Sequence, residues 1–492
     1  MPARRSKAKA DTGAVGSVFA APVEGGFAAC QIVRRKGTAL LVVALDWYGK
    51  AAPTLAELGA APALILTHHF WRGGPQALWV GSRLPREWQW LGRLPAVSVG
   101  TINSHGHAEA VPFQIPLQWH WDHCIPAEAR QRFEACKAAG AEGVEIALGP
   151  LRANLRRATH KLSIGPGKQL DVPLGEGLNW QALEALGCLS EIDYSGADAG
   201  IVGLLERAPI IRSLSWQQHG RDVIDVRSLD LDQLIVDHSQ PLTILADRLA
   251  TLTVLGSGDG VTVTMPTAEK LHLRLSGKGS PRLPIAGLEG LARKLELQHF
   301  DEIAFAAIAN HPDLTELAIF AGPRARFREL KSLRQLTKLR TLTIREGYGL
   351  DASVLADAEL PPSLDHVVIR GYTKEHGEAL RALFGSVARF EIAGAREASE
   401  LEATLSNPFD WSGIDPRESS RATKAWADAV TGLRKAKSKP ERSAVLRKFV
   451  TAFNGIHKRG VIPIAGARAA EVEEAFAQLS DRAKLKPQER AA

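Results

Sequence analysis

One short phrase recurs along the middle of this chain and limits what the chain can fold into. The phrase is apolar, two residues, apolar, one residue, apolar, as in Leu314-Thr-Glu-Leu317-Ala-Ile319. Its middle apolar residue recurs every 18 to 25 residues, at positions 192, 214, 234, 252, 271, 295, 317, 342, 367 and 390. A unit this short cannot bury its own apolar side, so successive copies must stack on one another.

This phrase at this spacing is typical of leucine-rich repeats. It predicts an α/β fold with an irregular leucine-rich-repeat solenoid over residues 176–400, in which one parallel sheet faces helices or loops on the convex side. The longer copies predict helices over residues 199–207, 302–309, 326–336 and 374–383. The middle copies, near Leu234 to Leu271, leave room only for loops or short turns. The asparagine that usually follows the third apolar residue is missing, which suggests irregularity.

The chain has 492 residues, which is too long for a single core. We predict a disordered basic tail (1–12), a small antiparallel β module (13–95), a linker α+β segment (96–175), the solenoid (176–400) and an α-helical carboxyl-terminal cap (401–492). Apolar runs of about 18 residues and a secretory signal are both missing, so we expect no membrane helix. The four cysteines are far apart, which favours free thiols and a cytoplasmic location.

The amino-terminal module carries the opening Gly16-Ser-Val-Phe-Ala-Ala-Pro, a glycine-rich turn, and then Ala29-Cys-Gln-Ile-Val33. Later it carries Trp79-Val-Gly81, Trp88 and Leu91-Gly92. This stretch resembles the twenty-sixth family of polymorphic-toxin immunity proteins. The resemblance implies a bacterial cytoplasmic protein that neutralises a toxin from a neighbouring cell. It implies no catalytic residues.

The outward residues of the repeat strands are expected to form columns on the concave face, because strand side chains alternate between two faces. Arginines beside an aromatic residue are common in protein-binding hot spots. A solvated sheet face would also need polar residues, and we weigh the two interpretations evenly. The predicted partner-binding residues are Lys270, His272, Arg274, Gln298, Phe320, Arg345, Arg370 and Arg389.

Two other stretches suggest different chemistry. His120, His123 and Cys124 are of the types that bind zinc, but no second ligand pair completes a site. Trp119 and Trp121 alternate as in a strand, which favours a structural role, so we predict no metal and no cofactor. The basic run from 152 to 161 is interpreted as a solvated helix face, with phosphate binding as the alternative.

These patterns favour a non-enzymatic protein-binding protein, because no outward column aligns a nucleophile with a base. The favoured function is an immunity protein that binds and blocks a toxin. One alternative is a cytoplasmic scaffold or regulator that binds an ordinary cellular protein. Nucleic-acid binding is a weaker alternative, since the net charge of +7 is spread over a long chain.

Overall fold

The structure is a computed structural model. It describes residues 13–23, 25–68, 73–81, 83–173, 177–198, 200–238, 241–266, 271–356, 358–409, 411, 415–460, 464 and 466–484. The chain divides into two compact units. The first comprises Met1–Leu273 and Ile285–Arg293, and the second comprises Arg274–Pro284 and Lys294–Ala492.

The first unit begins with a five-stranded antiparallel sheet, as predicted for the β module. Its strands are β1 (Ser17–Val23), β2 (Gly26–Lys36), β3 (Ala39–Gly49), β4 (Ala77–Val80) and β5 (Gln89–Arg93), in the order β4-β3-β2-β1-β5. A short helix, α1 (Leu55–Leu58), follows β3. The apolar residues of β3 contribute to two buried clusters, with Val42 in one and Leu41 in the other. Gln31 is buried and ties this sheet to the next segment, since its side chain accepts from Val97 N at 2.9 Å.

The secondary structure of the linker segment contradicts two predictions. Its elements are α2 (Ala110–His123), α3 (Ala127–Ala139), β6 (Gly143–Leu148), β7 (Leu151–Arg156) and β8 (Lys161–Ile164). The alternation of Trp119 and Trp121 suggests a strand, but both residues lie in α2, where Val111 and Ile115 pack into one buried cluster and Trp121 into another. The basic run from 152 to 161 was predicted to be a helix face. This prediction is wrong, because the run begins in β7, which pairs antiparallel with β6.

The copies of the repeat phrase form strands, which confirms the predicted fold class. The strands that follow β8 are β9 (Glu191–Ser195), β10 (Ser213–Gln217), β11 (Val223–Asp225), β12 (Gln233–Asp237), β13 (Leu242–Leu245), β14 (Thr251–Leu255), β15 (Val261–Thr264), β16 (Leu271–Ser276), β17 (Ala292–Gln298), β18 (Glu302–Ala304), β19 (Glu316–Phe320), β20 (Arg326–Arg328), β21 (Thr341–Arg345), β22 (His366–Thr373) and β23 (Arg389–Arg396).

Eleven of the described strands belong to a parallel sheet. In the first unit their order is β8-β9-β10-β12-β14-β16, and in the second unit it is β17-β19-β21-β22-β23. Strand β8 pairs in parallel with β9, so the repeat sheet starts at Lys161, ahead of residue 176. In β19 and β21 the core side chains Leu317, Ile319, Leu342 and Ile344 are at most 1% exposed. Stacking therefore buries the apolar side that a single copy cannot bury.

The connections between repeat strands are less helical than predicted. Their helices are α4 (Ile201–Arg207), α5 (Phe305–Ile308), α6 (Ala352–Ala356) and α7 (Gly377–Phe384). The middle copies were expected to have loops, but their connections form a second parallel sheet in the order β11-β13-β15. The helix predicted over 326–336 is β20 followed by a 3-10 helix, Leu330–Gln335. Alternating apolar residues in these short runs support strand pairing between neighbouring copies.

A left-handed residue follows many of the repeat strands and replaces the usual asparagine. Gln218, His299 and Glu346 each lie two residues after the third apolar residue, with φ of 53°, 64° and 56°. Glycines take the same position in four other copies, at 196, 256, 371 and 394. The side chain of Asp237 accepts from Gln218 N at 2.9 Å. The turns are thus closed by varied contacts instead of a ladder of identical amides.

The chain ends in helices α8 (Ala398–Leu405), α9 (Pro416–Lys435), α10 (Lys439–Arg459) and α11 (Ala467–Arg482). Trp426, Phe449 and Phe453 form the centre of their shared core. The helical region predicted after the solenoid is therefore confirmed. Phe390 and Ile392 of the last repeat strand, β23, are half-buried. Among the described helices, none is both long and apolar enough to cross a membrane.

The close approach of Gly349 to a neighbouring repeat gives a test of the stacking. A Cβ at Gly349 would lie 2.0 Å from the backbone oxygen of Ala325, whereas a Cβ at Gly322 would meet nothing nearer than 3.8 Å. We expect Gly349→Ala to lower the free energy of unfolding by about 1–3 kcal/mol. Gly322→Ala should change it by less than about 0.5 kcal/mol. Urea unfolding measures both, and equal stability of the two variants would contradict this packing.

Glu418 gives a pH-dependent test in the helical region. Its carboxylate is 2% exposed and accepts from Arg459 Nε at 3.0 Å and Nη2 at 2.9 Å. The hydrogen bond from Arg459 lowers the pKa of Glu418, with burial opposing and Arg421 assisting. This stabilisation is present at neutral pH and is lost as pH falls through the folded pKa. Glu418→Gln should therefore lower the Tm by roughly 5 °C at pH 7 and less near pH 4.

The control for this test is Asp428→Asn, which removes an exposed partner of Lys424 on the same helix. Exposed pairs of this kind contribute little, so the Tm should hardly move. Equal effects of the two variants, or a Glu418→Gln effect independent of pH, would show that the buried ion pair does not stabilise the helices.

Candidate protein-binding surface

The second unit presents an outward strand face, which we define as the side chains that alternate with the core on β17, β19, β21, β22 and β23. The register of these strands sets three columns across them. The columns are Lys294, Glu316, Thr341, His366 and Arg389; Glu296, Ala318, Thr343, Val368 and Glu391; and Gln298, Phe320, Arg345, Arg370 and Ala393. The predicted columns therefore exist, and strand pairing fixes which side chains are neighbours.

Three carboxylates on this face already have basic partners. Lys294 Nζ lies 3.2 Å from Glu316 Oε2, in the first column. Arg274 Nε lies 3.5 Å from Glu296 Oε2. Arg389 Nη2 lies 2.7 Å from Glu391 Oε1. These three cations are locally neutralised and offer less charge to an incoming partner.

Arg345 and Arg370 differ from those three cations. The guanidinium carbon of Arg345 lies 5.0 Å from the centroid of the Phe320 ring. Arg370 is exposed and lies directly opposite Arg345 in the strand register. Within the described ranges, neither arginine has a carboxylate within ion-pair distance. Like charges opposite each other destabilise a sheet, so an acidic group bound between them would relieve repulsion.

The remaining predicted residues are placed as follows. Lys270 lies outside the described residues. His272 lies on β16 in the first unit and is half-buried. Gln298 donates to Glu296, which is itself paired with Arg274. The sequence pattern selects the basic residues, but it does not reveal that carboxylates in the adjacent column neutralise Arg274 and Arg389.

The histidines of α2, His120 and His123, make contacts with neighbouring side chains in the first unit. Nε2 of His120 lies 2.7 Å from Oδ2 of Asp230, which also receives Arg212 Nη1 at 3.0 Å. Burial tends to raise the pKa of Asp230, but the hydrogen bond from His120 and the charge of Arg212 outweigh burial and lower it. The His123 ring stacks on Trp119 with centroids 4.7 Å apart. No group of three metal-binding side chains occurs among the residues the structure describes.

The basic run also has local partners. Arg152 Nη1 lies 3.2 Å from Glu145, Arg157 Nε lies 3.3 Å from Glu142, and Lys161 Nζ lies 3.2 Å from Glu191. A phosphate backbone would have to compete with these carboxylates. The run therefore offers little support for nucleic-acid binding.

Comparison with known proteins adds little to this description. No protein-family model matches the chain, and no curated protein matches it. Among solved structures, the chain is similar to an internalin from Listeria monocytogenes, with 15% sequence identity and a TM-score of 0.24. The match covers 58% of this chain and 96% of the internalin chain. At this TM-score the likeness assigns neither a fold nor a function.

The ion pair of Arg389 and Glu391 can be tested by titration. The hydrogen bond from Arg389 lowers the pKa of exposed Glu391, with a smaller contribution from His366. Arg389→Gln should raise the pKa of Glu391 toward its ordinary value, as measured by carboxyl-carbon NMR. Arg396→Gln, on the same strand, is the control and should leave it unchanged. An unchanged pKa of Glu391 in Arg389→Gln would show that this ion pair does not stabilise the carboxylate.

Proposed function

We propose that this chain is a non-enzymatic protein-binding protein, and specifically a bacterial immunity protein that occludes a toxin domain. The observation that carries the binding role is the Phe320, Arg345 and Arg370 group on the outward strand face. Its two cations have no ion-pair partner in the described part of the chain, and one of them stacks on an aromatic ring. We place the protein in the cytoplasm, where a toxin from another cell would act.

The physical case for the binding role rests on rigidity and charge. The three side chains stand on paired strands whose core residues are fully buried, so little backbone entropy is lost when a partner binds. Arginine and aromatic side chains dominate interface hot spots because they combine large contact area with directional hydrogen bonds. An acidic partner surface would also be steered toward two unneutralised arginines.

The toxin assignment rests on the amino-terminal module and its resemblance to immunity proteins. That module is a separate five-stranded sheet in the first unit. Such a module can supply a second contact, and two tethered contacts raise avidity without either being strong. The scaffold alternative requires only the outward strand face and would be favoured by a partner unrelated to any toxin.

The central test uses toxin domains encoded beside the gene for this chain. One of them should bind the purified protein and lose its activity in the complex. Arg345→Glu and Arg370→Glu should each weaken binding by about 30-fold or more, as for a hot-spot residue. Isothermal titration calorimetry measures the Kd.

The matched control is Arg326→Glu, which makes the same charge change on exposed β20, away from the outward strand face. It should alter the Kd by less than about threefold. If no neighbouring toxin binds, the immunity role fails. If a toxin binds but all three variants behave alike, the contact lies elsewhere and the proposed surface is wrong.

A further inference from the structure

The second unit contains a cavity of about 650 Å³ beside β20. Its lining includes the buried side chains of Phe327 and Tyr348 together with exposed charged side chains. The volume is within the range of small-molecule sites, about 300–1,000 Å³. None of its described lining residues belongs to the outward strand face, so the cavity is a separate site.

Four basic side chains line this cavity, and three of them come from one short stretch. Every second residue from 324 to 328 is an exposed arginine, whereas Ala325 and Phe327 between them are buried. Alternate residues of an extended chain point to the same side, so the arginines are presented together. Lys331, also exposed, follows them in the chain. The four cations are Arg324, Arg326, Arg328 and Lys331.

Most of this positive charge is not neutralised within the chain. Arg326 and Lys331 have no carboxylate within ion-pair distance in the described ranges. Arg324 Nη2 donates to the backbone oxygen of Leu405, which positions the guanidinium but leaves its charge uncompensated. Arg328 Nη2 lies 3.2 Å from a carboxylate of the paired strand β18, so it is the one cation of the four with an ion-pair partner among the described residues.

Two carboxylates also line the cavity. Asp351 is engaged at the start of α6, where its Oδ1 accepts from Ser353 N at 2.9 Å and Val354 N at 3.0 Å. Glu329 is exposed between the arginines and Lys331. Four cations against two carboxylates leave the lining with an excess of two positive charges.

We propose that this cavity binds a small ligand that carries several phosphate groups. Each phosphate can carry up to about two negative charges and accepts the paired N–H donors of arginine. A polyphosphate therefore brings several charges into a space of this size. An acidic peptide brings fewer, because carboxylates on the same side of an extended peptide lie about 6.5 Å apart.

Single-stranded nucleic acid fits this cavity less well. Its bases stack on exposed aromatic faces, whereas Phe327 and Tyr348 are 3% and 7% exposed. The charges of the lining, which do not need stacking, are the dominant feature that a ligand meets.

The test is isothermal titration calorimetry of the full chain with inorganic tripolyphosphate at about 50 mM salt. The wild-type chain should bind with a Kd on the order of 100 µM or lower. Arg326→Gln and Lys331→Gln should each raise the Kd about tenfold, because a charged hydrogen bond is lost. Glu329→Gln should lower the Kd about threefold, because a carboxylate that repels the phosphates is removed. Circular dichroism confirms that each variant is folded.

The matched control is Arg340→Gln, which removes an exposed arginine of the second unit that does not line the cavity. It should change the Kd by less than about twofold. A wild-type chain that does not bind tripolyphosphate would overturn the proposal, and so would a Kd that no cavity variant changes.

Two further outcomes would reassign the binding. A Kd that rises in Arg370→Gln but not in Arg326→Gln would place the phosphates on the outward strand face. An oligothymidylate that binds more tightly than tripolyphosphate, and less tightly in Arg326→Gln, would assign the cavity to single-stranded nucleic acid. Either result overturns the proposal. None of these outcomes depends on a toxin binding.

Discussion

The fold depends on burying each strand's apolar side chains against those of the next copy. Leu317 and Ile319 of β19 illustrate this, since both are at most 1% exposed between neighbouring strands of the second unit. The stacking leaves no freedom in register, because a slip of one residue would turn the core side chains outward. The outward columns follow from it. Phe320, Arg345 and Arg370 are neighbours because the core residues beside them are in register.

The sequence was sufficient to predict what depends on this alternation. The repeat strands and the columns that contain Arg345 and Arg370 follow directly from the period of two. Pairings between columns were harder, because they depend on side-chain reach: Glu391 lies close enough to Arg389 to pair with it, whereas no carboxylate reaches Arg370. The same two-residue alternation gave a wrong prediction in α2, where the spacing of Trp119 and Trp121 suggested a strand. Val111 and Ile115, four residues apart, carry the helical spacing, which the internal Pro116 obscures.

The turns after the strands could not be read from the sequence for a different reason. A left-handed residue recurs there, and it is glycine at Gly371 and Gly394. Gln218, His299 and Glu346 adopt the same conformation without that mark, at a cost of roughly 1 kcal/mol or more each. Tertiary contacts such as the bonds from Gln218 N to Asp237 offset the cost. Those contacts join residues about one repeat apart in the sequence, so the conformational propensity of the local sequence does not reveal them.

The same stacking constraint determines what happens where the repeats end. Every inner strand has a following copy to cover its core residues, but β23 has none in the described chain, and the helices after it build their own core around Trp426 and Phe449. Phe390 gains partial cover from Phe384, with ring centroids 5.8 Å apart. Ile392 stays half-buried on the same strand. The repeat sheet therefore terminates, in the described part of the chain, in a strand whose core residues have a neighbouring copy on one side only.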